Sequence, residues 1–311
     1  MAKNGSKTSH INDQKVLAAQ LFIQNNLDGD LLLKSVARAV GVSPAHLHRV
    51  FKSRVGETIK KYCDRLRVEK SLYDIRLTEL NLLQISLRYG FRNPETYTRV
   101  FKRYFGRPPS HFLNDRSIAP ANQGIQRSIR LGAVSGSGLR NSKETGFTVT
   151  RLQELRVAFI RHTGPYEEVP IFREPGETLW KKLENFATTV LGESKPFFYI
   201  GIPHDSPDTT VPEKLRFDGC ILVREPFQPQ GEIGFQLIRG GFYGVMTHAG
   251  PYATLAETYV ALFTNATGLR GFSIDPAAPV FELMIDISAA SIDDHTWTEL
   301  YVPLTKKGEI E

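Results

Sequence analysis

Apolar residues follow two different periods along the chain, helical in its first third and strand-like in its second half. Between Asp13 and Phe112 they recur at i, i+3 and i+4, the spacing that gives an α-helix one buried stripe. From Phe147 onward, short runs of β-branched and aromatic residues bounded by turn residues replace that period. The pattern predicts a two-domain fold, with an all-α domain at residues 13–113 and an α+β domain at residues 147–306.

The remaining segments read as connections rather than as folded elements. Residues 1–12 are polar, and we expect them to be disordered. Residues 114–146 are rich in Ser, Asn, Gly, Arg and Gln and contain few apolar side chains. That composition is typical of a flexible linker, so the sequence predicts two loosely coupled halves.

The helical half contains an internal repeat. The segment Arg49-Val-Phe-Lys52 returns 50 residues later as Arg99-Val-Phe-Lys102, and Gly56 returns as Gly106 at the same offset. A self-match at a fixed spacing indicates two copies of one supersecondary unit.

The punctuation of each copy predicts a helix-turn-helix. In the first copy a short apolar-periodic helix ends at Gly41, where glycine can adopt the left-handed conformation that closes a helix. Ser43-Pro44 then supplies an N-cap and a first-turn proline, and Asn93-Pro94 does so in the second copy. A second helix starts at each of these caps.

The second helix of each unit has a buried stripe and a polar face. Such a helix can place its polar face in the major groove of DNA. Ordinary amphipathic helices of an all-α bundle are the alternative, but two copies with the same punctuation and a basic outer face favour DNA binding. The polar positions are Ala45, His48, Arg49 and Lys52 in the first unit and Glu95, Thr98, Arg99 and Lys102 in the second.

The region from about Val16 to Phe112 resembles the DNA-binding domain of the AraC/XylS family of bacterial transcription regulators. The resemblance is carried by Tyr89-Gly-Phe and by Phe101-Lys-Arg-Tyr-Phe-Gly-Arg-Pro-Pro-Ser-His-Phe112. It implies that a long helix, here from about Glu57 to Ile75, joins two units that enter successive major grooves. By position in the family motif, the implied base-reading residues are Ala45, His48 and Arg49 in the first unit and Pro94, Glu95 and Arg99 in the second.

The two reading arginines are the strongest of these candidates, because a guanidinium can bind O6 and N7 of guanine together. Lys52 and Lys102 suit phosphate contacts instead. Pro94 departs from the polar residue that the family usually has there, so the second unit is expected to read fewer bases.

The distribution of charge agrees with the motif. Residues 1–116 carry 21 Lys and Arg against 10 Asp and Glu, whereas residues 117–311 carry 18 against 23. The positive potential therefore coincides with the helix-turn-helix copies, where phosphate binding requires it.

The second half of the chain is also duplicated. The pentapeptide His162-Thr-Gly-Pro-Tyr166 returns 86 residues later as His248-Ala-Gly-Pro-Tyr252, and each copy lies between a predicted strand and a predicted helix. Two β-α-β-β halves, each too small to bury its own apolar face, predict a duplicated α+β domain closed about a pseudo-twofold axis. This half resembles the GyrI-like small-molecule-binding domain in these pentapeptides, in Phe281-Glu282 and in the closing Thr298-Glu-Leu-Tyr-Val-Pro-Leu304.

Glu282 is the candidate effector-binding residue. Strand alternation places it on the face opposite Phe281 and Leu283, where it either points to solvent or faces a pocket. A carboxylate in a pocket needs a partner, which an organic cation would supply. The resemblance implies the pocket, although Met284 stands where the family often has a tyrosine. The candidate aromatic walls, which would add cation–π attraction, are Tyr166, Tyr199, Phe242, Tyr243 and Trp297.

No motif predicts catalysis, a cofactor or a metal site. Cys63 and Cys220 fall in different predicted domains, and neither His162 nor His248 has a second ligand at i+2 to i+4. With no signal peptide and no apolar run of about 20 residues, we expect a cytoplasmic protein without a membrane partner.

We therefore expect a non-enzymatic transcription regulator whose partners are double-stranded promoter DNA, a small lipophilic or cationic effector, and RNA polymerase. Two other functions stay open for the second half of the chain. It could hydrolyse a reactive small molecule with the pocket glutamate, or it could bind a protein partner.

Overall fold

A computed structural model describes residues 3–78, 80–113, 146–170, 178–285 and 295–307. These residues form two compact units, a helical one up to Phe112 and one built on a sheet beyond residue 146. The predicted linker, residues 114–146, lies almost entirely outside the described ranges. Within those ranges, no helix is both long enough and apolar enough to cross a bilayer.

The helical unit contains the two predicted helix-turn-helix units. α2 and α3 form the first, α5 and α6 form the second, and α4 joins them. The bounds are α1 (Lys3–Gln24), α2 (Leu33–Ala39), α3 (Pro44–Val55), α4 (Ile59–Leu77), α5 (Leu82–Arg88) and α6 (Pro94–Phe105), followed by a 3-10 turn, Pro109–Phe112.

α1 differs from the prediction, because it begins at Lys3 rather than at Asp13. The segment expected to be disordered is therefore largely helical. Its sequence contains no proline, and Asn12 is bonded to His46 of α3. A tertiary contact of this kind stabilises helical turns whose composition alone would not.

Capping explains where the second helix of each unit begins and ends. Ser43 Oγ accepts a bond from the His46 amide at 3.3 Å, and Asn93 Oδ1 accepts one from the Thr96 amide at 2.8 Å. α3 and α6 each end at a left-handed glycine, Gly56 at φ 77° and Gly106 at φ 72°. The glycines that precede the two caps are left-handed as well, Gly41 at φ 68° and Gly90 at φ 67°, so the predicted Gly–cap–Pro punctuation is confirmed in both copies.

Nine strands of the described residues form one antiparallel sheet in the second unit. A helix lies between strands in each half of the sequence, as the duplication predicts. The strands are β1 (Thr148–Leu152), β2 (Leu155–Thr163), β3 (Tyr199–Pro203), β4 (Arg216–Leu222), β5 (Ile233–Ile238), β6 (Gly241–Pro251), β7 (Phe272–Ile274), β8 (Phe281–Met284) and β9 (His295–Lys306), and the helices are α7 (Leu179–Thr189) and α8 (Leu255–Gly268).

The strand order shows how the two halves combine. It runs β1-β6-β9-β8-β3-β4-β2-β5, with β7 paired to β9. The order is symmetric about the β8–β3 pair, so the pseudo-twofold axis passes between those strands. Among the described residues, the first half has four strands and the second has five, against three in each β-α-β-β half. The first strand of each half pairs with the other half: β1 joins β6, and β5 joins β2. The halves are interlocked rather than side by side.

One row across the sheet places the candidate effector site. The register pairs Gly219 with Gly201, Gly201 with Glu282, and Glu282 with Leu300. Directly paired residues of an antiparallel sheet point to the same face. A Cβ on Gly219 would lie 3.0 Å from Leu179 of α7, which shows that this is the face covered by the helices.

Candidate DNA-reading helices and candidate effector site

The polar faces of α3 and α6 are open to solvent. Leu47 and Phe51 of α3 are buried, as are Tyr97, Val100 and Phe101 of α6. On the other side of these helices, Ala45, His48, Arg49, Lys52, Glu95, Arg99 and Lys102 are exposed, and Pro94 and Thr98 are half-buried. The residues selected from the sequence are therefore displayed on the two surfaces that a recognition helix needs.

α4 sets the distance between these helices. Its 19 residues correspond to about 28 Å of helix, close to the roughly 34 Å that separates successive major grooves on one side of B-DNA. Its predicted inner residues Ile59, Tyr62, Cys63 and Leu66 are buried. Arg65 is buried as well, and it donates to Glu57 at 2.8 Å and to Glu69 at 3.1 Å.

Arg67 of α4 connects the surroundings of both units. Its Nε donates to the Leu27 carbonyl at 2.8 Å and its Nη2 to the Gly29 carbonyl at 2.7 Å, in the turn before α2. The guanidinium also lies over the ring of Phe91, at the turn between α5 and α6. Gly90 has φ 67°, and a Cβ there would lie 2.7 Å from the Asp28 carbonyl oxygen. Both units are thus fixed to the same segment of α4.

Glu282 lies inside the sheet domain at residues 146–307, and its side chain is only 2% exposed. The Tyr252 hydroxyl donates to its Oε2 at 2.5 Å, and the Tyr259 hydroxyl donates to its Oε1 at 2.7 Å. Among the described residues, no Lys, Arg or His forms an ion pair with it. The geometry excludes the alternative of a solvent-facing glutamate.

Burial dominates the electrostatics of this group. It raises the pKa of Glu282 to about 7, although the bonds from Tyr252 and Tyr259 lower it. Burial and then the adjacent carboxylate raise the pKa of both tyrosines well above its ordinary value, so they remain hydrogen-bond donors. The site is a buried carboxyl group whose pKa is raised to about 7 and which accepts hydrogen bonds from two phenols.

Aromatic rings surround the carboxyl group. A Cβ on Gly201 would lie 2.7 Å from the ring of Phe217 and 3.1 Å from Glu282 Oε2, so the glycine leaves space that these groups use. The ring of Tyr166 meets Phe217 edge-on, and Tyr166 also acts electrostatically on Tyr252 and Tyr259. These contacts place aromatic rings near the buried carboxyl group, and the Tyr166 hydroxyl itself donates to the Asp205 carbonyl at 2.7 Å.

The other predicted wall residues divide between the two faces of the sheet. Tyr199 shares the face of Glu282, but its hydroxyl donates to Glu184 of α7 at 2.6 Å. Phe242 shares it too, yet lies near the far end of β6 against Phe272. Strand alternation puts Tyr243 and Trp297 on the opposite face of the sheet. There Tyr243 packs on Phe281, and Trp297 is 48% exposed. The structure does not bring Phe242, Tyr243 or Trp297 to Glu282.

Tyr252 and Tyr259 were not selected from the sequence, although both carried a signal. Tyr252 ends the second pentapeptide, at the position equivalent to Tyr166 in the first. Tyr259 interrupts the apolar stripe of α8, which includes Leu255 and Leu262. A tyrosine in a buried stripe needs an acceptor for its hydroxyl, and Glu282 is that acceptor.

The two pentapeptide histidines act within their own turns. His162 Nε2 lies 3.2 Å from the Pro165 carbonyl oxygen, and His248 Nε2 lies 3.0 Å from that of Pro251. His248 Nδ1 is also 2.8 Å from the Thr258 hydroxyl of α8. Over the described residues, no cluster of three or more His, Cys, Asp or Glu could hold a metal ion.

Comparisons with known proteins match both halves of the chain. A helix-turn-helix domain family matches residues 36–115, and the GyrI-like small molecule binding domain matches residues 146–305. The right origin-binding protein of Escherichia coli K12 is 38% identical over 92% of this chain and 96% of its own length. The transcriptional regulator Rob of Salmonella typhimurium is 38% identical over 74% of this chain and 76% of its own.

A third relative covers the helical half. The multiple antibiotic resistance protein MarA of Salmonella typhimurium is 30% identical over 33% of this chain and 86% of its own length. The two domain matches, and the right origin-binding protein that covers 92% of this chain, agree with the double helix-turn-helix and with the duplicated sheet domain. The chain therefore belongs to the AraC/XylS family of DNA-binding transcription regulators, with a C-terminal GyrI-like domain.

Proposed function

We propose that this regulator is a one-component sensor, in which a lipophilic organic cation binds at Glu282 and alters how α3 and α6 engage a promoter. The observation that supports the proposal is the buried carboxyl group of Glu282, which has two phenol donors and no cationic partner among the described residues. An incoming cation would supply the missing charge. The promoter lies in the bacterial cytoplasm, where the protein would also meet RNA polymerase.

On the DNA side, Arg49 and Arg99 read guanine edges from the exposed faces of α3 and α6. Ala45, His48, Pro94 and Glu95 flank them as weaker readers. The lysines Lys52 and Lys102, together with Thr98, contact the phosphate backbone. The length of α4 suits two half-elements about one helical turn apart, so a single chain needs no palindrome.

On the effector side, an aromatic cation displaces the hydroxyl of Tyr252 or Tyr259 from the carboxylate. The rings of Phe217 and Tyr166 then supply apolar and cation–π contacts. Because Glu282 is almost completely buried, effector entry requires these tyrosines to move. That movement gives the domain two states that an effector can distinguish, which is the requirement for regulation.

The proposal is tested by thermal unfolding of the full chain with lipophilic cations, anions and neutral aromatics. Both tryptophans, Trp180 and Trp297, belong to the sheet domain, so tryptophan fluorescence follows the unfolding of that domain. A cation at 100 times its Kd should stabilise by about 2.7 kcal/mol, or roughly 5–10 °C in Tm. Glu282→Gln should abolish the shift, whereas Glu257→Gln, an exposed substitution on α8, should retain it.

Other outcomes point to other functions. A lack of stabilisation by every compound would contradict effector sensing and favour a protein partner for this domain. Conversion of a bound electrophile, lost in Glu282→Gln, would show hydrolysis instead of sensing. Stabilisation that persists in Glu282→Gln would place the effector elsewhere.

A further inference from the structure

A polar contact joins α1 to the recognition helix of the first unit. His46 of α3 is half-buried, and its Nε2 lies 3.1 Å from Oδ1 of Asn12 on α1. On the other side of the ring, His46 Nδ1 lies 3.4 Å from Nη2 of Arg49. The imidazole therefore links a residue outside the helix-turn-helix to the arginine at the exposed face of α3.

The donors and acceptors of these three side chains set the direction of each hydrogen bond. An arginine has only N–H donors, so His46 Nδ1 must accept from Arg49. The Asn12 carbonyl oxygen accepts, so His46 Nε2 must carry the proton. In this arrangement the contact with Asn12 holds the His46 ring with its Nδ1 next to Arg49.

We infer that His46, held by Asn12, positions the guanidinium of Arg49 for base reading. The inference rests on the proposed role of Arg49. Nη2 of Arg49 is bonded to His46, and the Arg49 side chain as a whole is exposed. A long side chain that is ordered before binding loses less conformational freedom on the DNA, and its fork keeps one orientation against the guanine edge.

The second helix-turn-helix offers a matched comparison. The repeat places Thr96 of α6 where His46 stands in α3, three residues before Arg99. A threonine side chain is too short to span from α6 to a neighbouring helix as the imidazole does. The first unit is therefore expected to show the sharper base preference at the position that its arginine reads.

The experiment selects binding sites for the wild-type chain from random DNA and measures Kd for the selected duplex and for random-sequence DNA. Arg49→Ala identifies the base pairs that Arg49 reads. His46→Ala should weaken binding to the selected duplex about 2- to 12-fold and relax preference at those same base pairs. Affinity for random-sequence DNA should stay within about twofold, because phosphate contacts are retained.

Three further variants separate positioning from folding. His46→Gln retains an acceptor for Arg49 and a donor for Asn12, so it should restore the preference. Thr96→Ala should leave those base pairs unaffected, and His46→Ala should add no loss in the Arg49→Ala background. Circular dichroism at 222 nm checks that each variant keeps its helices.

Three results would overturn the inference. The first is an unchanged preference in His46→Ala while Arg49→Ala relaxes it, which leaves the reading role of Arg49 intact. The second is an equal loss on selected and random DNA, which indicates a structural role for His46. The third is an unchanged preference in Arg49→Ala itself, which removes the reading role and the positioning role together.

Discussion

Replacing Glu282 by glutamine should stabilise the GyrI-like domain at alkaline pH in the absence of effector. The pKa of this carboxyl is raised from 4.5 to about 7, chiefly by burial. Between those values the native state holds a proton that the unfolded chain has released. The free energy of unfolding therefore falls as pH rises through this window, and the penalty is complete above about pH 7.

The size of the effect follows from the two pKa values. A difference of one pKa unit corresponds to about 1.4 kcal/mol, so the ionised carboxylate costs the native state about 3 kcal/mol at pH 8. Glutamine resembles the protonated acid and never ionises. For a domain of this size, about 3 kcal/mol corresponds to roughly 6–12 °C in Tm.

The assay is tryptophan-monitored thermal unfolding of wild type, Glu282→Gln and Glu257→Gln from pH 4.5 to pH 8.5. Wild type and Glu257→Gln should both lose stability as pH rises, whereas Glu282→Gln should show a flatter profile. The curves for wild type and for Glu282→Gln should converge near pH 4.5. Equal Tm values for these two proteins at pH 8, or a constant offset at every pH, would show that ionisation of the buried Glu282 does not destabilise the domain.

Three further predictions concern single contacts. Tyr259→Phe removes the donor to Glu282 Oε1 and should cost about 1.5–3 kcal/mol at pH 8, measured by tryptophan-monitored melting. Asp74→Asn should stabilise the helical unit by up to about 3 kcal/mol at pH 8, measured by circular dichroism, because burial raises the pKa of this carboxyl to about 6. Gly90→Ala should cost more than about 2 kcal/mol in urea unfolding, because the new Cβ meets the Asp28 carbonyl at a φ of 67°.

Each of these has its own control. Tyr259→Phe should lose much less free energy of unfolding at pH 4.5, where Glu282 is protonated, than at pH 8. An equal loss at both pH values would contradict a hydrogen bond to an ionised carboxylate. The gain in Asp74→Asn should vanish below about pH 4; a gain that persists there would show another cause. Gly56→Ala shares the left-handed φ of Gly90, but its new Cβ would meet none of the described residues within 4 Å, so it should cost less.

Local sequence signals were sufficient for the two helix-turn-helix units. The glycines, caps and prolines that bound α2, α3 and α6 act within a few residues of themselves, and the 50-residue repeat placed both units. The start of α1 was missed because it depends on a long-range contact, the bond between Asn12 and His46. Composition alone could not indicate that contact.

In the sheet domain, local sequence signals did not predict the strand pairing or the partners of Glu282. The 86-residue repeat predicted the duplication, but the exchange of β1 and β5 between halves depends on strand pairing over long sequence separations. Strand alternation put Glu282 on the face opposite Phe281 and Leu283, but it left open whether that face met solvent or a pocket. Its two phenol partners, Tyr252 and Tyr259, come from the turn and helix after β6, and only the packing of α8 on the sheet brings them to it.

Coupling between the effector site and DNA binding is measured most directly by the affinity of the full chain for its selected duplex, with and without a saturating lipophilic cation such as tetraphenylphosphonium. If the cation binds at Glu282 and biases the DNA-binding state, Kd for DNA should change about 5- to 150-fold, the usual range of allosteric coupling. The change should be absent in Glu282→Gln. An unchanged Kd in wild type, under conditions where thermal unfolding shows the cation bound, would contradict the claim that this domain regulates DNA binding.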